Sequence, residues 1–216
     1  MKQLSEALAR FVQQQNLYND AYGLFQNHDI QPRTENLTDC WDRRIPVSPE
    51  LEYLYSHYEM IDAKAAGTHK LKNAAVEIGD AAVLFFAAPE HLYRQQLGYR
   101  WITSGEFVQE SSSWPPHHVV IANFNDDPVI VDTSAPDSPV YAAFEGGAAQ
   151  QVADSLANFF TALSILIESA CTFKGELKDE DTYETKAEYI EHVKPLLHPL
   201  LNENQTTYLM EYLSLC

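Results

Sequence analysis

The run HVVIANFNDDPVIVDTSAPDSPVYAA, from His118 to Ala143, decides the fold of this chain. It holds three short apolar segments, His118–Asn123, Pro128–Thr133 and Pro139–Ala143, rich in the β-branched residues that suit a pleated surface. Asn125-Asp126-Asp127 and then Ser134 to Ser138 separate them, and these residue types bend the chain and bond their own backbone. Connections this short favour antiparallel pairing, because parallel neighbours need a crossover of roughly a dozen residues or more. Beyond the strands, Val152, Leu156, Phe159, Phe160, Leu163, Leu166 and Ile167 recur at three- and four-residue spacing. That period predicts a long helix from about Ala148 to Glu168, packed on the sheet as the centre of the core.

Working upstream, Ala75–Ile78 and Ala82–Phe86 are apolar runs split by Gly79-Asp80, the signature of a hairpin. Ser48-Pro49-Glu50 reads as a helix start, with Ser48 as cap and Pro49 where its missing N–H does no harm. Pro89 opens a short helix that Gly98 closes, and Tyr99–Thr103 reads as a further strand. Nearer the start, Leu4, Leu8 and Phe11 give an amphipathic helix from Lys2 to about Gln14, with a second from Asn19 to Asn27. Pro32–Asp42 reads as a loop. Downstream, after an acidic linker, helices are expected over Tyr183–Leu197, strained by Pro195, and Gln205–Leu213. The expected architecture is therefore α+β: an antiparallel or mixed sheet flanked by helices. It forms one domain over 1–216, with its core at about 45–170 and a helical extension at about 178–216.

Charge narrows the function. Thirty-one acidic residues against fourteen basic ones give a net charge of −17. Such a chain repels phosphate backbones, so nucleic-acid binding is not expected. Acidity of this order also serves solubility, but here it is clustered. From Trp101 to Phe173 there is no lysine or arginine, while Glu106, Glu110, Asp126, Asp127, Asp132, Asp137, Glu145, Asp154 and Glu168 are all present. A one-signed stretch on a compact sheet points to a basic partner. The three cysteines, Cys40, Cys171 and Cys216, form no CxxC pair and read as reduced thiols. Neither a signal peptide nor a run of about eighteen apolar residues is apparent, so the expectation is a cytoplasmic protein without a membrane span.

The order Trp114-Pro115, Val119-Val120-Ile121-Ala122, Asn125-Asp126-Asp127-Pro128, Val129-Ile130-Val131-Asp132, Pro139-Val140-Tyr141 and Val152-Ala153-Asp154-Ser155-Leu156 with Phe159-Phe160 resembles the SUKH superfamily, the Smi/Knr-like group. The match is best from Trp114 to Leu163. The helix at Pro49-Glu50-Leu51 and the strand pair at Ala75–Phe86 fall where that family places its earlier elements. Two features depart from its pattern: Asn125-Asp126-Asp127 replaces a glycine-containing turn, and the helix near Tyr58 lacks an aromatic-Gly ending. The resemblance implies an α+β fold and a binding role. Most bacterial members are immunity proteins that neutralise a toxin domain, and others are intracellular scaffolds or regulators. It implies no catalytic set.

The candidate partner-binding residues are Glu106, Glu110, Trp114, Phe124, Asp126, Asp127, Tyr141 and Glu145. The acids would complement and steer a basic toxin cleft, and the aromatics would act as anchors. For Trp114, a core or sheet-edge role is the commoner one for a large aromatic ahead of a strand. His117 and His118 are adjacent, so in a strand they point to opposite faces. The aspartates of 126–132 do not have the spacing of a twelve-residue calcium loop, and turn aspartates commonly bond their own backbone. His192 and His198 lack the spacing of two ligands on one helical face, and no GxGxxG, GxxxxGK[ST] or GxSxG occurs. The reading is thus a non-enzymatic protein without cofactor or metal, monomeric or a weak homodimer. A regulatory scaffold docking through the C-terminal helices is the alternative. A hydrolase built on His117, His118, Asp126 and Asp127 ranks last.

Overall fold

The computed structural model of the chain describes residues 1–216 other than 26, 38–40, 63–72 and 106. Candidate Glu106 and the thiol of Cys40 therefore lie outside the described residues. In chain order the elements are α1 (Lys2–Tyr22), β1 (Ile30–Pro32), α2 (Pro49–His57), β2 (Tyr58–Met60), β3 (Asn73–Ile78) and β4 (Ala82–Ala87). A 3-10 turn at Pro89–His91 leads into α3 (Leu92–Gln95), followed by β5 (Trp101–Ser104) and β6 (Phe107–Glu110). Next come β7 (His118–Phe124), β8 (Asp127–Asp132), β9 (Val140–Ala142) and β10 (Gln150–Ala153), then α4 (Leu156–Thr172), α5 (Ala187–Leu197) and α6 (Glu203–Tyr212).

The sheet has the order β10-β9-β8-β7-β4-β3, and each of its pairings is antiparallel, so the fold is α+β with no mixed strand in this sheet. Strands β1 and β2, and separately β5 and β6, make small two-stranded sheets. The turn from β7 to β8 places both Asn125 (φ 49°) and Asp126 (φ 67°) in the left-handed region. This is the backbone of a two-residue hairpin whose twist matches its strands. Asn and Asp tolerate that region better than other non-glycine residues, so the pair does what a glycine-containing turn would do.

Several elements differ from the sequence expectations, most of them for local reasons. In place of two N-terminal helices there is one, Lys2–Tyr22, because nothing before Gly23 breaks it, and the described residues of the expected Gly23–Asn27 stretch are not helical. The polar Gln15 inside it is buried and bonds both the N–H and the C=O of Ile30. The segment predicted to open the long helix at Ala148 instead forms β10, where Gln150 and Gln151 pair with Ala142 and Tyr141. Helix α4 starts only at Leu156, where the Ser155 side chain accepts the Asn158 N–H. It then runs past Glu168 to Thr172. Helix α5 begins at Ala187, not Tyr183: Tyr183 has φ 60°, and Lys178 forms a bridge with Thr185. Strands β1, β2 and β6 form where the sequence reading has no strand, and β1 includes Pro32, the expected start of a loop.

Phe160 on α4 sits where three elements meet. Its ring lies 5.1 Å from Phe11 of α1, edge-on, and 5.8 Å from Phe86 of β4, stacked. The inner sheet face supplies Val76, Leu84, Ala122, Val129, Val131 and Val140 to the same buried cluster. The core is broader than residues 45–170, because it also contains Leu4, Leu8 and Phe11 at one end of the chain and Tyr189, Val193, Leu209 and Tyr212 at the other. The C-terminal helices are tied in by specific bonds. Tyr189 Oη donates to the Leu166 carbonyl, and Tyr212 Oη donates to that of Asp127.

Candidate functional site

Strand register sorts the residues of the sheet between two faces. Phe86 pairs with Ala122, and both join the core, so the paired Phe85 and Asn123 belong to the opposite, outer face. Val120, Ile130 and Tyr141 form one cross-strand row on that outer face, and His118 faces Asp132 in the next row. A bulge at Ile121 lets both Ile121 and Ala122 join the core. Strand β4 pairs with β7 only at its far end, which leaves the backbone of Val120 unpaired on that side. The Gln96 side chain replaces the missing strand there, accepting the Val120 N–H and donating to its C=O, each at 2.8 Å.

An aromatic strip crosses this outer face. The rings of Tyr99 and Trp114 lie 5.4 Å apart, those of Trp114 and His118 6.2 Å, and those of His118 and Tyr141 5.3 Å, the last pair stacked. Trp114 Nε1 donates to the His118 carbonyl at 3.0 Å, which holds the indole half-buried over the sheet. Tyr99 Oη donates to the Asp126 carbonyl at 2.8 Å, so the strip is joined to the β7–β8 turn. Two expected anchors, Trp114 and Tyr141, thus belong to one surface, linked by His118. Phe124 does not: it is 5% exposed, packs edge-on against Tyr212 and serves the core.

Three of the candidate acids come together beside the strip's Tyr99 end. Asp126 is exposed in the turn, and its half-buried neighbour Asp127 accepts the backbone N–H of exposed Glu145 at 3.0 Å. That bond helps hold Glu145 in the left-handed region, φ 49°, beside Gly146 and the exposed Phe144. Glu110 is engaged differently. On β6 it receives Arg100 Nε at 2.8 Å, and the Arg100 guanidinium also lies over the Trp101 ring. Arg44, over Tyr93, is likewise met by Asp42.

The site's titratable groups are shifted by identifiable causes. Burial lowers the His118 imidazole from its ordinary value; Asp132 opposes the shift and His117 adds to it. For Asp132, burial pushes upward, but hydrogen bonds from Ser134 and the nearby His118 and His117 outweigh it, and the carboxyl ends lower. Burial raises the Tyr141 phenol, helped by Asp132 and Asp154. The Tyr99 phenol is raised by burial and by Asp126 and Asp127, against a hydrogen bond with Asn123. The ensemble is an uncharged aromatic strip with carboxylates at its margin. Among the described residues, no group of three His, Cys, Asp or Glu is placed to hold a metal ion.

The β5–β6 hairpin also has an exposed surface that the sequence reading missed. Phe107 is 80% exposed, Val108 52% and Ile102 45%. Gly105 (φ 61°) between Trp101-Ile102-Thr103 and Phe107-Val108 was the available signal. Comparison of the chain with family models, curated proteins and solved structures finds no match.

Proposed function

We propose that this chain is a protein-binding domain that recognises a basic protein through the outer sheet face, and that it performs no chemistry of its own. The observation that carries the reading is the junction of the Asp126, Asp127 and Glu145 turns with the Tyr99–Trp114–His118–Tyr141 strip. Interfaces concentrate their energy in a few large, partly desolvated side chains, while rim charges steer the approach. The strip on this face supplies the first, and the turns at its Tyr99 end supply the second. The SUKH resemblance makes a toxin domain the expected partner, with the chain as its cytoplasmic immunity protein.

The test is capture of a basic protein from the native cell lysate by the tagged chain, alongside Asp126→Asn/Glu145→Gln and Trp114→Ala. The neutral variant keeps side chains of similar shape, so it removes charge and little else. We expect one basic protein that the wild type retains, that Trp114→Ala loses and that the neutral variant captures more weakly at low salt. Capture unaffected by either variant would put the interface elsewhere and refute this reading.

A further inference from the structure

Strand β6 is an open edge of the β5–β6 hairpin, and register decides which backbone groups it offers. Ser111 N–H donates to the Arg100 carbonyl at 2.7 Å, so these two residues are a hydrogen-bonded pair. Bonded and non-bonded pairs alternate along antiparallel strands, so the pairs Trp101–Glu110 and Thr103–Val108 turn their N–H and C=O groups outward. On β5 the outward groups of Trp101 are taken: its N–H donates to the Gln96 carbonyl at 3.3 Å, and its C=O accepts the Gly98 N–H at 2.8 Å. On β6 the outward groups of Val108 and Glu110 meet no further strand among the described residues, and all four residues of β6 are exposed. Proteins usually blunt such an edge with proline, lysine or a bulge. Phe107-Val108-Gln109-Glu110 has neither residue, and its register with β5 is unbroken.

Donors and acceptors recurring about 7 Å apart along an edge match the backbone of an extended segment. Alternate side chains of an added strand would lie beside the exposed Phe107 ring on one face, and beside Val108 and Glu110 on the other. Glu110, although paired with Arg100, keeps 55% of its side chain exposed. The hairpin's own sequence, Trp101 to Glu110, has two glutamates and no lysine or arginine. Two copies of a chain with net charge −17 repel each other, so charge favours a basic segment of another protein over a second copy. We infer that β6 is the docking edge for an extended basic segment of the protein partner, which adds to the hairpin as a third strand. The inference rests on the proposed recognition of a basic protein. Tyr99 and Trp114 of the aromatic strip stand just before and just after the hairpin, so one partner can engage both.

The test titrates the full-length chain, labelled with ¹⁵N, with a short alternating lysine–valine peptide blocked at both ends. One control carries glutamate in place of lysine, and another is methylated on every backbone nitrogen, which keeps the side chains and removes the donors. Saturable shifts of the Val108 and Glu110 backbone amide signals with the lysine–valine peptide alone are the expected result. Val108→Pro removes an N–H that makes no bond within the hairpin, and it should weaken binding about two- to tenfold, the net worth of one hydrogen bond. No shift at these signals, or equal shifts with either control, would overturn the added strand. Shifts of the same signals with protein concentration alone would also overturn it, by showing a second copy at this edge. The methylated peptide tests the backbone bonds on the wild type, so the result stands even if Val108→Pro disturbs the hairpin. The two readings fail separately. Partner capture indifferent to Asp126→Asn/Glu145→Gln and Trp114→Ala removes the protein-binding face, whereas capture that depends on them with no peptide signal at Val108 and Glu110 removes only the added strand.

Discussion

His118 shows how a single residue can serve both fold and surface. Its ring stacks on Tyr141, its carbonyl holds the Trp114 indole, and burial keeps its imidazole below the ordinary value. The sign of the consequence follows from linkage. A base whose folded pKa is depressed binds fewer protons when folded, so the stability it contributes is present above the unfolded value of about 6.5 and is lost as pH falls through and below it. His118→Phe keeps an aromatic ring in the stack and removes the titration. Denaturant unfolding between pH 7.5 and 5 should therefore show a smaller loss of stability for the variant than for the wild type. Equal pH dependence would place the titration elsewhere. Such a role was not legible in the sequence, where His117 and His118 read as neighbours on opposite faces and, in the last-ranked alternative, as parts of a hydrolase site. The covering of one of them by Trp114 and Tyr141 depends on strand register.

At the scale of elements, the antiparallel hairpins, the Ser48 cap and the main helix were legible because periodicity and turn chemistry agree there. In α2, the Ser48 side chain accepts the Leu51 N–H with Pro49 in the first turn, as read. The failures lie where local signals compete. Val152 fits a helical stripe and a strand equally well, and pairing with β9 decides for the strand. The C-terminal helices are the instructive case, since as an appended scaffold surface they would be dispensable. Instead α6 buries Leu209 and Met210 and places Tyr212 against Phe124, under the turn that carries the acids. Burial of Leu209 and Met210 is worth roughly 1.5–3 kcal/mol each. Deleting residues 178–216 should abolish the cooperative unfolding transition seen by circular dichroism. A truncated chain that still unfolded cooperatively at the wild-type midpoint would show the helices to be an independent layer.

For the whole molecule, the net charge of −17 is legible from composition, but its placement is not. Of the expected acids, the fold gathers Asp126, Asp127 and Glu145 and commits Glu110 to Arg100, a division set by two turns and one hairpin. No helix among the described residues is long and apolar enough to cross a membrane. The concentration of negative charge beside an aromatic strip makes a kinetic statement. Rim charges act mainly on the association rate, and salt screens them over about 8 Å at physiological ionic strength. The decisive measurement is the association rate constant of the captured basic partner, followed against salt for the wild type and Asp126→Asn/Glu145→Gln. A partner steered by these carboxylates associates with the wild type at a rate that falls steeply with salt and with the variant more slowly at low salt, the two converging at high salt. Identical rates and identical salt slopes would contradict that steering.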